Sequence, residues 1–174
     1  EIANYIDRLP KQKVDGWRGV SERFKHIHLN NNFSQTYEIV ESAIHKKDNL
    51  WRKFCEEYVS SFEDIIIKYQ KLNIFSELND EIIERTIYGC YPLHPVSTFI
   101  LPRLSERVAQ NERTLFTFIS ASGTSTLPAF LDKYNDDKFD LITPDVIYDY
   151  FEPLFKKEGY GGSVYENYRL TEVI

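Results

Sequence analysis

Between Leu50 and Leu72 the large apolar residues recur at steps of three and four: Trp51, Phe54, Tyr58, Phe62, Ile65, Ile66 and Tyr69. That spacing is the 3.6-residue period of an α-helix that buries one face, and a strand, whose side chains alternate with period two, cannot present it. A helix from about Leu50 to Leu72 is therefore predicted, with Phe54, Tyr58, Phe62 and Ile66 in the core. A stripe of such bulky side chains needs other amphipathic elements to cover it, so the rest of the chain has to supply them.

Helical spacing recurs along most of the sequence. Residues 1–9 read as the end of a helix stopped by Pro10, and Trp17, Val20 and Phe24 fall at helical steps. Lys25 to Leu29 alternates instead, with Ile27 and Leu29 on one side and His26 and His28 on the other, a short strand pattern closed by the Asn30-Asn31-Asn32 turn. A helix from Ser34 to His45 follows, with Ser34 as N-cap and Tyr37, Val40 and Ile44 as its buried stripe. Asn79 is expected to cap a helix that Gly89 ends as a C′ glycine. Tyr91-Pro92-Leu93-His94-Pro95 is a rigid turn, because each proline fixes its own φ and restricts the residue before it. Beyond it Val96, Ile100, Leu104 and Val108 share one helical face, with a kink expected at Pro102. Ser120 to Thr126 is a loop of small residues, and Leu127 to Tyr134 a short helix. Thr143-Pro144-Asp145 opens a further helix to about Phe155, with hydroxyl cap, proline at N1 and acid in the first turn.

Composition narrows the function. With 21 basic and 27 acidic residues the formal charge is −6, so the chain has no global attraction for nucleic acid, and only a local basic face would supply one. No run of 18 apolar residues exists to form a membrane-spanning helix. Cys55 and Cys90 stand far apart without C-x-x-C spacing, and Glu1-Ile2-Ala3-Asn4 is no signal peptide. Reduced thiols and a cytoplasmic location are the expectation. The chain contains no methionine, not even at its first position, and is expected to be a piece of a longer protein.

Nucleotide hydrolysis needs a backbone cradle for phosphate followed by Lys and a hydroxyl for Mg²⁺. No G-x-x-x-x-G-K-[ST] occurs, and Gly159-Tyr160-Gly161-Gly162 lacks the following Lys-Ser/Thr. This stretch of sequence is thus not expected to hydrolyse a nucleotide by itself. G-x-S-x-G is likewise absent. His26 and His28 share a strand face at a spacing that can hold a metal, but no third ligand stands nearby, and an exposed polar edge is the simpler reading. Arg23, at the entrance of the strand, can project a guanidinium towards a neighbour's phosphates or pair with Glu22. Arg103 and Arg107 lie one helical turn apart, a repulsion that a bound anion or Glu106 and Glu112 would relieve, and Arg113 follows just beyond.

Two passages resemble a known group. Trp17-x-x-Val20-x-x-Arg23-Phe24-x-x-Ile27, the polar turn and the Ser34–Ile44 helix are similar to the part of AAA+-type ATPases in which an Arg-Phe pair precedes the last core strand and the first lid helix follows. The family's glycine before Arg-Phe is Glu22 here. Tyr91-Pro92-Leu93-His94-Pro95, Leu101-Pro102-Arg103-Leu104-Ser105-Glu106 and Gln110-Asn111-Glu112-Arg113-Thr114-Leu115-Phe116 resemble large bacterial P-loop ATPases, among them those of BREX-type phage-defence systems. Leu141-Ile142-Thr143-Pro144-Asp145 and Tyr148-Asp149-Tyr150-Phe151 fit the same group. The resemblance implies a mainly α fold, a helical lid-like bundle with one or few short strands at its N-terminal end. It implies residues 1–33 as the end of an ATPase core, 34–120 as a helical lid, and 121–174 as a following helical segment that begins a winged-helix-like module. It makes Arg23 the candidate arginine finger and Arg103 and Arg113 the candidate phosphate sensors. ATP and Mg²⁺ would be bound only by the full-length protein, with an upstream core and further subunits, of its own kind or others, as partners; nucleic acid would be met only through that larger protein. A helical interaction module without ATPase ancestry satisfies the same stripes. A DNA-binding helix-turn-helix or winged helix after about residue 125 is opposed by Asp132, Asp136, Asp137, Asp140, Asp145, Asp149 and Glu152, which would repel phosphate.

Overall fold

A computed structural model describes residues 33–72, 79–108, 115–134, 138–157 and 163–171. The chain divides into two compact units, Glu1–Asn31 and Asn32–Ile174, and every described residue belongs to the second. The expected strand at Lys25–Leu29, with Arg23, His26 and His28, lies outside the described residues, as does Arg113.

The described part is mainly α, as the periodicity predicts. Its helices are α1 (Phe33–Ala43), α2 (Asp48–Glu57), α3 (Val59–Leu72), α4 (Asp80–Ile83), α5 (Pro95–Val108), α6 (Leu115–Ser120), α7 (Leu127–Leu131), α8 (Pro144–Lys157) and α9 (Ser163–Thr171). A π-helical segment, Glu84–Gly89, continues α4. Helix α1 begins at Phe33, so Ser34 lies inside its first turn instead of capping it. Among the described residues the strand-like pairing is one parallel bridge between Leu93 and Ile142, with the His94 N–H donating to the Ile142 carbonyl (3.0 Å) and the Ile142 N–H to the Pro92 carbonyl (2.8 Å).

Two apolar clusters hold the unit together. The larger gathers Tyr37 and Val40 of α1, Leu93, Leu101 of α5, Phe118 of α6, Ile142, and Ile147 and Phe151 of α8. The smaller is aromatic and centres on Phe62, Ile87 and Tyr91. Phe62 is fully buried and stacks on Tyr88 with ring centroids 4.5 Å apart. Its ring also meets Phe139 edge-on at 4.9 Å, the geometry that the aromatic quadrupole favours.

The helix expected from Leu50 to Leu72 is interrupted at Tyr58, which ends α2 with φ −104° and ψ 23° before α3 starts at Val59. Packing gives the reason. Phe54, Tyr58 and Phe62 all contact the ring of Phe139, while Trp51, Phe54 and Phe62 all contact Tyr91. The break wraps the stripe around those two rings.

Gly89 also departs from expectation. It closes the π segment, and the chain leaves through Cys90 at φ −87°, without a left-handed C′ glycine. What Gly89 supplies is space, since a Cβ there would lie 2.6 Å from Glu41 Oε1. Its carbonyl accepts from Lys46 Nζ. Pro102 sits buried within α5, which runs through it to Val108. Asn79 caps as the sequence predicts, its Oδ1 accepting from the Ile82 N–H at 2.8 Å, and Thr126, read from sequence only as the end of a loop, caps α7, its Oγ1 accepting from the Ala129 N–H at 3.4 Å. Pro144 opens α8, and the Asp145 carboxyl is held below its usual range, chiefly by a hydrogen bond with Thr143.

Candidate functional site

Of the three arginines singled out from sequence, Arg103 is the one within the described residues. Helix α5 carries it towards α1. There its Nη1 donates to Tyr37 Oη (2.9 Å) and to the Phe99 carbonyl (2.7 Å), and its guanidinium lies 3.5 Å from the centre of the Phe99 ring. Burial raises the Tyr37 pKa, and the Arg103 hydrogen bond opposes that rise. Arg103 is half-buried and joins α1 to α5. Arg107, one turn on, is exposed and lines a cavity of about 360 Å³ with Tyr148 of α8 and Tyr168 of α9. The two guanidinium groups thus enter different surroundings, which removes the crowding their spacing suggested.

A second ion-pair centre is Arg85, in the π segment. It pairs with Glu38 (2.8 Å), Glu41 (3.6 Å) and Glu81 (3.3 Å). This network ties α1 to the π segment. Its acids are largely exposed, so its contribution is small.

The feature that sequence reading missed is a basic, ring-lined cleft. A cavity of about 510 Å³ opens between the α1–α2 connection, α2, the Tyr91-Pro92 turn and α7. His45, Lys46, Lys47 and Lys53 supply cationic or titratable groups along one side. Trp51, Phe54, Tyr91 and Tyr134 give it aromatic walls, and Leu50 and Leu131 flank it while exposing 60% and 48% of their surface. Glu57 is the single acid of the lining.

Each cation has a local cause. Lys46 Nζ donates to the Gly89 carbonyl and lies 5.1 Å from the centre of the Trp51 ring, and burial lowers its pKa. Lys47 is the N-cap of α2 and offers its first turn no side-chain acceptor. A lysine at the positive end of a helix is electrostatically unfavourable by itself. Lys53 stands on the exposed side of α2. No ion pair joins a described carboxylate to Lys46, Lys47 or Lys53, although Glu41 is near enough to Lys46 to favour its charged form. The sequence carries the signal, His45-Lys46-Lys47 followed by Trp51 and Lys53. The periodicity of Trp51 and Phe54 absorbed it into a buried stripe.

Tyr69 and His94 form a further polar pair beside the core, with Tyr69 Oη 2.9 Å from Nε2. The Val96 N–H donates to Nδ1 at 3.3 Å, which leaves Nε2 as the protonated nitrogen donating to Tyr69. Burial pushes the imidazole pKa down. Cys90 is buried beneath α1 and its thiol is pushed up to about 12, chiefly by burial, so it is a packing residue and not a nucleophile. The described residues contain no group of three or more His, Cys, Asp or Glu placed to hold a metal ion, and none of their helices is long and apolar enough to cross a membrane.

No protein-family model, no curated protein and no solved structure matches the chain.

Proposed function

We propose that the chain is the lid and following helical region of a large AAA+-like P-loop ATPase, similar to those of BREX-type phage-defence systems. One observation carries the reading. The two passages that resemble that group, Tyr91–Phe116 and Leu141–Phe151, are separated in sequence but pack on one another. Leu93 bridges Ile142, and Leu101 and Val108 of α5 share a core with Ile147 and Phe151 of α8. A shared pattern in both passages is what one folded module would need. In this reading residues 1–33 end the ATPase core, and the helices close over ATP bound upstream and convert hydrolysis into rigid-body motion. Arg23 reaches a neighbouring subunit's phosphates, and Arg103 or Arg113 senses phosphate from the lid. ATP and Mg²⁺ belong to the full-length, cytoplasmic protein.

The test uses the gene product that joins this chain to a P-loop core. Arg23→Ala is expected to bind ATP normally and hydrolyse it at least about tenfold more slowly, the mark of an interaction made only in the transition state. Mixing it with a subunit that lacks the P-loop lysine restores part of the rate, because the two defects then lie on different chains. Arg103→Ala shows no such rescue. Because Arg103 also packs on Tyr37, the control is Tyr37→Phe, which removes their hydrogen bond and leaves turnover intact. A reading frame without a P-loop core, or full activity in assembled Arg23→Ala and Arg103→Ala proteins, sinks the proposal in favour of a helical interaction module.

A further inference from the structure

The cleft between α2 and α7 is lined by three lysines and one acid, in a chain whose acids outnumber its bases by 27 to 21; Glu41 offsets part of the charge of Lys46, whereas Lys47 and Lys53 make no ion pair with a described carboxylate. Like charges gathered with so little counter-charge repel one another, and an anion in the cleft would remove that cost. Lys47, the N-cap of α2, gives the first turn no side-chain acceptor, and Asp48 in that turn offsets only part of its positive end. A bare anion would leave most of the cavity unfilled. Its volume of about 510 Å³ lies in the range of ligand sites. Its walls are rings, and the exposed Leu50 and Leu131 flank it with apolar surface that water covers poorly. The occupant must therefore join a flat apolar body to a negative group.

We propose that this cleft binds one nucleotide of a single-stranded nucleic acid, the base packed among Leu50, Leu131 and Tyr134 and the flanking phosphates met by Lys47 and Lys53. Lys46 is tethered to the Gly89 carbonyl and sets the potential of the wall from a fixed place. Lysine suits this task because its ammonium is a point charge that accepts a phosphate from many directions. An acidic peptide would match the charge as well, but the aromatic and leucine walls favour a flat heterocycle beside the phosphate. Glu57 is the one opposing charge on the lining and disfavours a second phosphate at that end. The binding mode is that of single-strand sites in general, a charged track beside apolar platforms with little demand on sequence. The inference is independent of the ATPase reading, since it uses no P-loop and no hydrolysis.

The experiment is fluorescence anisotropy of the purified chain with a labelled oligothymidylate of about twelve nucleotides. With two phosphates neutralised, affinity should fall about sevenfold between about 50 and about 200 mM salt. The double variant Lys47→Glu/Lys53→Glu should bind at least about tenfold more weakly with an unchanged far-UV spectrum, since both side chains are exposed. Leu131→Asp should weaken binding at least about tenfold with an unchanged far-UV spectrum, since Leu131 is 48% exposed. Failure of the oligonucleotide to bind, or full binding by both variants, overturns the proposal. So does duplex of the same length binding as tightly, or thymidine monophosphate competing as well as the strand, which would make the site one for free nucleotide. Equal displacement by polyglutamate would reassign the cleft to an acidic partner.

Discussion

His94 shows how one half-buried side chain makes the unit sensitive to pH. Its Nδ1 accepts the Val96 N–H and its Nε2 faces Tyr69, an arrangement that requires the neutral ring. The unfolded chain takes up the proton at an ordinary imidazole value of about 6.5, whereas burial holds the folded value lower. Stability from this group is thus complete above about pH 6.5 and declines as the pH falls from there to the folded pKa. Urea midpoints should be lower at about pH 5.5 than at about pH 7.5, and His94→Gln should flatten part of that difference; an identical slope in the variant would contradict the assignment. Arg103 makes a second test at this scale. Arg103→Ala removes charge-assisted bonds to Tyr37 and Phe99 and should cost about 1.5–3 kcal/mol in unfolding free energy. A loss no larger than that of an ordinary exposed arginine would mean the contacts are absent in solution.

At the scale of elements, the pairing of α2 and α3 depends on Phe62. Its ring is fully buried and touches Trp51, Phe54, Tyr88, Tyr91 and Phe139. Phe62→Ala should cost about 3–5 kcal/mol, whereas Ile67→Ala on the exposed side of α3 should change the midpoint little. Equal effects would show that the stripe does not face the aromatic cluster. Phe62 was legible in the sequence as a core residue from period and residue size, whereas Phe54, Tyr58 and Ile66, expected beside it, are only partly buried. The break at Tyr58 was not legible, because it answers to Tyr91 and Phe139, which are distant in sequence. The cap at Asn79 was readable because a cap is satisfied within its own first turn. Gly89 does stand where the helix ends, as its sequence position indicated; what was not legible is the close approach of the Glu41 side chain, which comes from another helix.

For the whole molecule, the Asn32–Ile174 unit joins two apolar clusters, and the basic cleft opens beside the aromatic one. Nucleotide turnover by the purified chain is expected to match a buffer blank, because its sequence holds no P-loop lysine followed by Ser or Thr. Turnover that survives further purification and disappears when the chain is removed by antibody would refute this. Strand binding by the same preparation would then separate the cleft's role from hydrolysis.

Amino-acid order alone determined the helical class and the inward faces of α1 and α3. A helix's buried stripe is written in residues three and four apart, so it needs no knowledge of what covers it. Order alone also determined the missing phosphate cradle, which is a contiguous motif. Tertiary structure decided the direction of Arg103, the break at Tyr58, the need for Gly89 and the existence of the cleft. Each of these is a contact between residues tens of positions apart. His45, Lys46 and Lys47 become one side of a site only when Tyr91, Leu131 and Tyr134 are folded against them.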